Sequence, residues 1–527
     1  MASDNLIQHV PASSGGRSSS TFAADFASSV VVFLVAIPLC LGIAVASGVP
    51  VAMGLISGIV GGLVVGAIAG SPLQVSGPAA GLAVIVFGFV EQYGVAALGP
   101  VLVAAGAIQI LAGFLRIGSW FRAISPAVVH GMLAGIGILI ILGQIHVLMD
   151  SKPAAGGIQN VVAIEGSVEK LWHDGITTQT LALMVGVASL LAMIGWEKFR
   201  PAKLKLVPGA LIGVAFGTLL AVGFALPIAR VNLPASLLDG ISIPGASDFM
   251  RLTEPGIFVT VLVIAIIASA ETLLSAAAVD RMHDGERTKY NKELFAQGIG
   301  NGICGMLGAL PITGVIVRSS ANIQAGAKTR LSAVMHGAWV LALVALLPQL
   351  LGVVPLTALA AVLLVTGWRL VSLHHVRHLF DQHGWVPVGI WFATVSLVVT
   401  QDLLIGVGVG LALSIAEIVP YLRRRLHIET AETEDEIYLN LTGAATAKSI
   451  PALLNLLEKL PASQPVRLTA PDLHYLDHTC AETISEWVQR ETRAGRRVIV
   501  EYASSESSER HHRVDPQLRR FYSEAAA

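Results

Sequence analysis

The chain has 527 residues, 54% of them hydrophobic and only 13% charged, about half the roughly 25% charged fraction of an ordinary soluble domain. Its net charge of -1 supplies no field to draw it to nucleic acid, and Cys40, Cys304 and Cys480 have neither paired nor metal-ligand spacing. These numbers set aside a soluble fold, a nucleic-acid partner, a disulfide framework and a structural metal, and no cofactor is expected. They leave a helix bundle with lipid as its solvent.

Residues 1–21 are Ser- and Gly-rich, lack the apolar core of a secretory signal, and read as a disordered cytoplasmic segment. A transmembrane region follows over 22–425. Stretches long enough to cross a bilayer fall at 26–46, 53–70, 95–115, 128–148, 181–196, 207–227, 257–278, 294–310, 331–351, 355–370, 386–400 and 403–421. Two more, 78–92 and 315–327, are too short or too broken for full spans, so about fourteen elements are expected. With a cytoplasmic N-terminus, the connections after even-numbered elements face the cytoplasm. They hold Arg116, Arg122, Lys198, Arg200, Lys203, Lys205, Arg281, Arg287, Lys289, Lys292, Lys328, Arg330, Arg369, Arg377 and Arg423 to Arg425. The other side holds only Lys152, Lys170, Arg230 and Arg251. This asymmetry predicts an inner-membrane protein with both termini in the cytoplasm.

The two broken segments are third and tenth, the same place in each half of a seven-plus-seven arrangement. An odd number per half inverts the second half against the first. The expected fold is an all-α polytopic bundle with an inverted repeat and two half-helices, and matching interrupted helices point to a substrate site near the bilayer midplane.

The first break reads Gln74-Val75-Ser76-Gly77-Pro78-Ala79-Ala80-Gly81, and Pro78 suits the first position of a helix because its missing N–H is not needed there. A helix starting inside the membrane presents free N–H groups and a positive dipole end, which together make an anion site. Ser76, Gly77, Pro78 and Ala79 are therefore candidate substrate contacts. In the second break Pro311 and Gly314 interrupt the helix, Thr313, Gly314, Val315 and Ile316 flank the restart, and Arg318 lies about one turn in. An intramembrane Arg marks an ion pathway or a buried pair, the alternative being a side chain that snorkels to the surface beside Lys328. Glu271, midway along an otherwise apolar helix, is the acidic residue that answers it, and Ser275 shares its face one turn on. As a bland alternative, Glu271 and Arg318 form a structural ion pair. His130 and His146 read as interfacial or packing residues, and His374, His375, His378 and His383 as a solvated basic loop beside Arg377.

The Ser76-Gly77-Pro78 break, the Glu271-Thr272-Leu273-Leu274-Ser275 segment and the stretch from Pro311 to Asn322 resemble the SulP anion permeases, prokaryotic relatives of solute carrier family twenty-six. The resemblance covers about 22–502. It implies a non-enzymatic anion carrier with a transport core and a gate that move as an elevator, usually as a homodimer in membrane lipid. It also implies an anion held near Pro78 and Val315, with Arg318 supplying positive potential and Glu271 the ion-coupling carboxylate. That family's first helix usually carries Pro-Gln and, four residues after the Gln, a Tyr. Here Leu39 and Ile43 follow Pro38 in those places, which removes two polar contacts and admits a less demanding anion than sulfate, such as bicarbonate. Sodium-coupled bicarbonate members tend to lack the residue retained as Arg318, so a proton or an exchanged anion is expected ahead of sodium. An uncoupled channel and a non-transporting sensor are the rival readings.

After Arg425 the composition turns polar. Strands are predicted at 436–441, 466–468 and 497–502, and helices at 450–460 and 481–494, in a small α/β domain over 426–503. It resembles the STAS domain that SulP proteins carry. The loop before its second helix, Asp477-His478-Thr479-Cys480, keeps the Thr of the family's signature, so Thr479 is a candidate regulatory residue beside a purely structural role. The tail, 504–527, reads as disordered.

Overall fold

The computed structural model describes residues 17–501, apart from 119–124, 155, 174–176, 205, 234–236, 281, 284, 372–375, 378, 382–383, 402, 420–425, 434–435, 458–459, 462–463 and 494. Both segments expected to be disordered fall largely outside the described residues. The first helix, α1 (Arg17–Ala46), starts a turn or more before its apolar run. The basic loop of His374, His375, His378 and His383 also lies outside the described residues.

After α1 come α2 (Val51–Ile68), which contains a π-helical turn at Gly61–Val65, a short strand β1 (Ser76–Pro78), α3 (Ala83–Tyr93) and α4 (Leu98–Phe114). Then follow α5 (Pro126–Leu148), α6 (Gly157–His173), α7 (Thr178–Phe199) and α8 (Gly209–Gly223). The second half runs α9 (Pro255–Asp280), α10 (Tyr290–Met306), β2 (Ile312–Gly314), α11 (Ile316–Gln324), α12 (Leu331–Leu346), α13 (Leu356–Val371), α14 (Trp385–Thr400) and α15 (Leu403–Ile418). Six of the described helices, α1, α2, α5, α7, α9 and the helical stretch Val95–Phe114 that includes α4, are long and apolar enough to cross a membrane. The chain is a multi-pass membrane protein. Helix α6 lies outside every span expected from the sequence. Its Glu165 and Glu169 sit among apolar residues that are themselves exposed, so it is a surface helix and not core-forming.

Packing sorts the helices into two bundles. One holds α1 to α4 and α9 to α12, the other α5, α7, α8 and α13 to α15, with α1 meeting α13 between them. Contacts come in matched sets: α10 on α4 and α12 on α2, α9 on α4 and α1 on α12, α7 on α8 and α14 on α15. In these three sets a contact of one half has its counterpart in the other. Lipid gives helices little hydrophobic reason to associate, so close approach of small residues does that work. Gly106 lies against Gly298 and Gly302, and Gly99 against Gly305, where α4 crosses α10. A Cβ on Gly106 would come within 2.6 Å of the Gly298 carbonyl oxygen. The counterpart crossing of α2 and α12 is made by Gly62 and Gly337.

The C-terminal unit is a four-stranded sheet in the order β3 (His427–Glu432), β4 (Ile437–Ala445), β5 (Val466–Leu476), β6 (Val498–Glu501). β3 is antiparallel to β4, and the other two pairings are parallel. The helices α16 (Ile450–Leu457) and α17 (His478–Arg493) complete it, around a core of its own that includes Leu439, Leu441, Leu468, Ile484 and Trp487. Contrary to expectation, the stretch Asp477-His478-Thr479-Cys480 is not a loop but the cap and first turn of α17. The buried Asp477 carboxylate accepts the Cys480 N–H at 2.7 Å, a standard N-cap arrangement. The side chain of Thr479 lies outside the described residues. Burial and the neighbouring Asp477 carboxylate push the Cys480 thiol well above its ordinary range.

Candidate functional site

The two interrupted helices meet. β1 and β2 pair antiparallel, with Ser76 opposite Gly314, Gly77 opposite Thr313 and Pro78 opposite Ile312. The ladder extends at both ends: the Ala79 N–H donates to the Pro311 carbonyl at 3.1 Å and the Val315 N–H to the Val75 carbonyl at 2.9 Å. Each strand leads into a helix, but Pro78, expected at the first helical position, is instead the last residue of β1, where it pairs with Ile312. A 3-10 turn at Ala80–Leu82 leads from β1 into α3, and Val315 leads from β2 into α11. Neither start is capped by its own N-cap side chain; the Glu271 carboxylate meets the Gly81 N–H, and the remaining first N–H groups and the positive dipole ends of both half-helices are left for another partner. The structure thus brings Ser76, Gly77, Pro78 and Ala79 together with Thr313, Gly314, Val315 and Ile316, which lie more than 200 residues away in sequence.

Side chains from three helices, α2, α9 and α11, hold the crossing. Ser57 on α2 both donates to the Leu310 carbonyl and accepts its N–H, at 2.9 and 2.8 Å. Ser319 accepts the Val75 N–H at 2.9 Å. Thr272, next to Glu271, accepts the Gly314 N–H at 3.2 Å, and its carbonyl takes a hydrogen bond from Gln74. Asn322 donates to the Leu73 carbonyl at 3.0 Å.

Arg318 does not snorkel: it is 0% exposed. From the first turn of α11 it reaches back across β1. One terminal nitrogen, Nη2, lies 3.4 Å from Cys40 Sγ on α1, and Nη1 presses on Gly77, where a Cβ would sit 2.0 Å from it. Nε and Nη1 have no hydrogen-bond partner. Glu271 is half-buried on α9 and faces the first turn of the other half-helix, where a Cβ on Gly81 would lie 2.8 Å from Oε2. That oxygen too is without a partner. Arg318 and Glu271 make no ion pair with each other, so the bland reading of a structural pair does not describe this arrangement. Thr313 Oγ1 and Gln74 Oε1 are likewise buried and unpartnered. Orphaned buried polar atoms are costly and rare, and here at least five of them, counting both Arg318 nitrogens, surround one crossing. Ser275 is buried one turn beyond Glu271.

The departures on α1 are also placed. Leu39 and Ile43 are buried in the same apolar cluster as Ala79 and Leu82. Beyond the start of α3 a cavity of about 290 Å3 separates the two bundles, lined by Val84, Ile85 and Thr260 on one side and by Ile136, Leu139 and Val398 on the other. His146 is a packing residue whose Nε2 meets the Asn160 carbonyl at 3.0 Å.

One set of residues escaped the sequence reading. On α10, Glu293, Gln297 and Asn301 are all fully buried. Asn301 accepts the Ile312 N–H at 2.8 Å and donates to its carbonyl at 3.1 Å, while Gln297 donates to the Ser76 hydroxyl. The signal was their spacing of four, which puts all three on one helix face.

A profile of the sulfate permease family matches residues 22–394. The YvdB protein of Bacillus subtilis (strain 168), named provisionally as a sulfate transporter, is 27% identical over 510 residues, 94% of each chain. The bicarbonate transporter BicA of Picosynechococcus sp. (strain ATCC 27264 / PCC 7002 / PR-6) is 24% identical over 403 residues, 73% of this chain and 68% of BicA. Among solved structures, the transmembrane domain of a cyanobacterium bicarbonate transporter BicA superposes with a TM-score of 0.62 at 21% identity, covering 75% of this chain and 97% of that one. SLC26A9 superposes with a TM-score of 0.67 at 15% identity, covering 94% and 87%.

Proposed function

The chain belongs to the sulfate permease family, whose members are transporters and not enzymes, and on that premise we propose that it is a secondary transporter of a small inorganic anion of the sulfate or bicarbonate class. The observation that carries the reading is the crossing itself: two half-helix N-termini side by side, neither capped by its own N-cap side chain, with the orphaned guanidinium nitrogens of Arg318 behind them. An anion seated there accepts backbone N–H groups from both helices and is balanced by one fixed cation. The apolar Leu39 and Ile43 favour an anion that asks for few side-chain donors.

Moving one negative charge inward against about 100 mV costs roughly 2.3 kcal/mol, so accumulation requires a coupled ion or an exchanged anion. In this reading Glu271, on α9 and facing the start of α3, carries a proton. With Glu271 ionised the site is nearly neutral, and with it protonated the site is net positive and ready for a monovalent anion. By linkage, anion binding and protonation then favour each other to the same extent. The bundle containing the crossing moves past the other as an elevator, in a homodimer of about fourteen membrane elements per chain arranged as an inverted seven-plus-seven repeat. The termini and the STAS-like domain lie in the cytoplasm of the inner membrane.

Uptake of labelled bicarbonate and sulfate into proteoliposomes, with pH and sodium gradients imposed separately, tests this. A proton gradient should drive accumulation, and Glu271→Gln should still exchange anion but lose its response to pH. Sodium-driven uptake indifferent to pH would remove Glu271 from the coupling role, and large currents set by the anion gradient alone would replace the carrier by a channel.

A further inference from the structure

The buried carboxylate of Glu293 takes no part in the mechanism above, yet it is fully buried and makes no ion pair among the described residues. Its hydrogen bonds lead to the site. Oε2 accepts the Ser71 N–H at 2.9 Å, in the segment that enters β1, and Oε1 accepts from Gln297 Nε2 at 3.1 Å. The same Nε2 donates to the Ser76 hydroxyl oxygen, and Gln297 Oε1 has no partner.

An amide side chain has two faces, a donor and an acceptor, and a carboxylate can only accept. Glu293 therefore fixes which end of the Gln297 amide points toward it, and both hydrogens of Nε2 are consumed, one by Glu293 and one by Ser76. The Ser76 oxygen then serves as acceptor to Gln297, and its own O–H hydrogen is released to donate elsewhere. Were the amide reversed, Ser76 would have to spend that hydrogen on Gln297 Oε1. Ser76 is buried within the crossing, paired with Gly314 and three residues before Ala79.

We infer that Glu293 and Gln297 are positioning residues that set the direction of the hydrogen bond to Ser76, so that the Ser76 hydroxyl donates to the bound anion. The inference rests on reading the crossing as the anion site. The relay runs one way: carboxylate to amide, amide to hydroxyl, hydroxyl to anion. Asn301 does the matching task at β2, where it fixes Ile312 through both backbone groups, and it is tied through Gln109 to Ser269, two residues before Glu271.

The test uses Glu293→Gln in the full-length protein, a replacement of nearly equal shape that offers a donor where Glu293 offered an acceptor and so lets the Gln297 amide turn over. KM and maximal rate for sulfate and bicarbonate uptake are measured in proteoliposomes for wild type, Glu293→Gln, Ser76→Ala and the double variant. Loss of one directed hydrogen bond to the anion should raise KM about ten-fold with a smaller change in maximal rate, in both single variants. The double variant should be no worse than Ser76→Ala, because both act through the same hydroxyl. Ser76→Thr, which keeps the hydroxyl, should retain the wild-type KM. Should Glu293→Gln fail to fold, Gln297→Glu, which forces Ser76 to donate inward, must show the same dependence on Ser76. Additive losses in the double variant, or a KM unchanged by Ser76→Ala, overturn the relay. A wild-type protein that takes up neither anion overturns instead the functional reading on which it rests.

Discussion

Arg318 is a guanidinium with no carboxylate paired to it among the described residues, enclosed by Gly77 on β1 and Cys40 on α1. A buried cation kept without a counter-charge makes sense where a ligand supplies one. Arg318→Ala should therefore abolish anion binding, read by isothermal titration in detergent, while gel filtration still finds folded protein. Arg318→Lys should recover part of it, since an ammonium restores charge without the planar fork of donors. Undiminished affinity in the alanine variant would remove Arg318 from the site. Gly77→Ala is a subtler probe: its new Cβ would sit 2.0 Å from Nη1, so the guanidinium must shift, and binding should weaken although no charge has changed. Arg318 and Glu271 were legible in the sequence because an ionised group in the middle of an apolar run is too costly to persist there without a role. Glu293 was not. The expected span began at 294, one residue too late, because helix α10 opens with polar residues from Tyr290 on, and a carboxylate at the end of a span reads as part of the loop.

Among the elements, the apolar segments were readable because lipid demands long runs of one character, and each overlaps a helix of the structure. The strands β1 and β2 were invisible: three residues are too few to show alternation, and their pairing partners are far apart in sequence. Helix α6 was missed for the opposite reason, its apolar and charged residues being mixed. The expected small domain had no β3, whose residues are largely exposed and polar. The helix crossings carry their own prediction. At the α4–α10 contact each glycine lies against the backbone of the other helix, so Gly298→Leu should destabilise by about 1–3 kcal/mol or separate the helices, seen as a lower melting temperature in detergent. An unchanged melting point would mean that the two helices stand farther apart than a bare glycine contact. In the C-terminal unit, hydrogen bonds from Tyr438 and Arg467 hold the Glu436 carboxyl below its ordinary value of 4.5. A lowered pKa stabilises the fold above the unfolded value and loses that contribution as pH falls through the folded one. The domain should therefore loosen below about pH 4.5, and Glu436→Gln should flatten that part of the pH–stability curve as followed by thermal unfolding.

For the whole molecule the question is which parts move. α1 to α4 and α9 to α12 are bound to one another through the crossing, through glycine contacts and through the polar face of α10, whereas the facing bundle meets them along α1 and α13 and across the cavity beyond α3. Dense hydrogen bonding within one bundle and a cavity between the two favour motion as rigid bodies. Val84 on α3 and Leu139 on α5 line that cavity from opposite sides, so a short bifunctional thiol reagent joining Val84→Cys to Leu139→Cys should stop uptake, and a reducible reagent should restore it on cleavage. The native thiols interfere little, because Cys40, Cys304 and Cys480 are all buried. A link that stays within one bundle, from Val84→Cys to Thr260→Cys, both on the crossing side of the cavity, should leave uptake largely intact. The contrast is what discriminates: a channel or a rocking gate that opens without relative travel of the bundles would tolerate the first link as well as the second, and equal rates in the two cross-linked proteins would rule out the elevator.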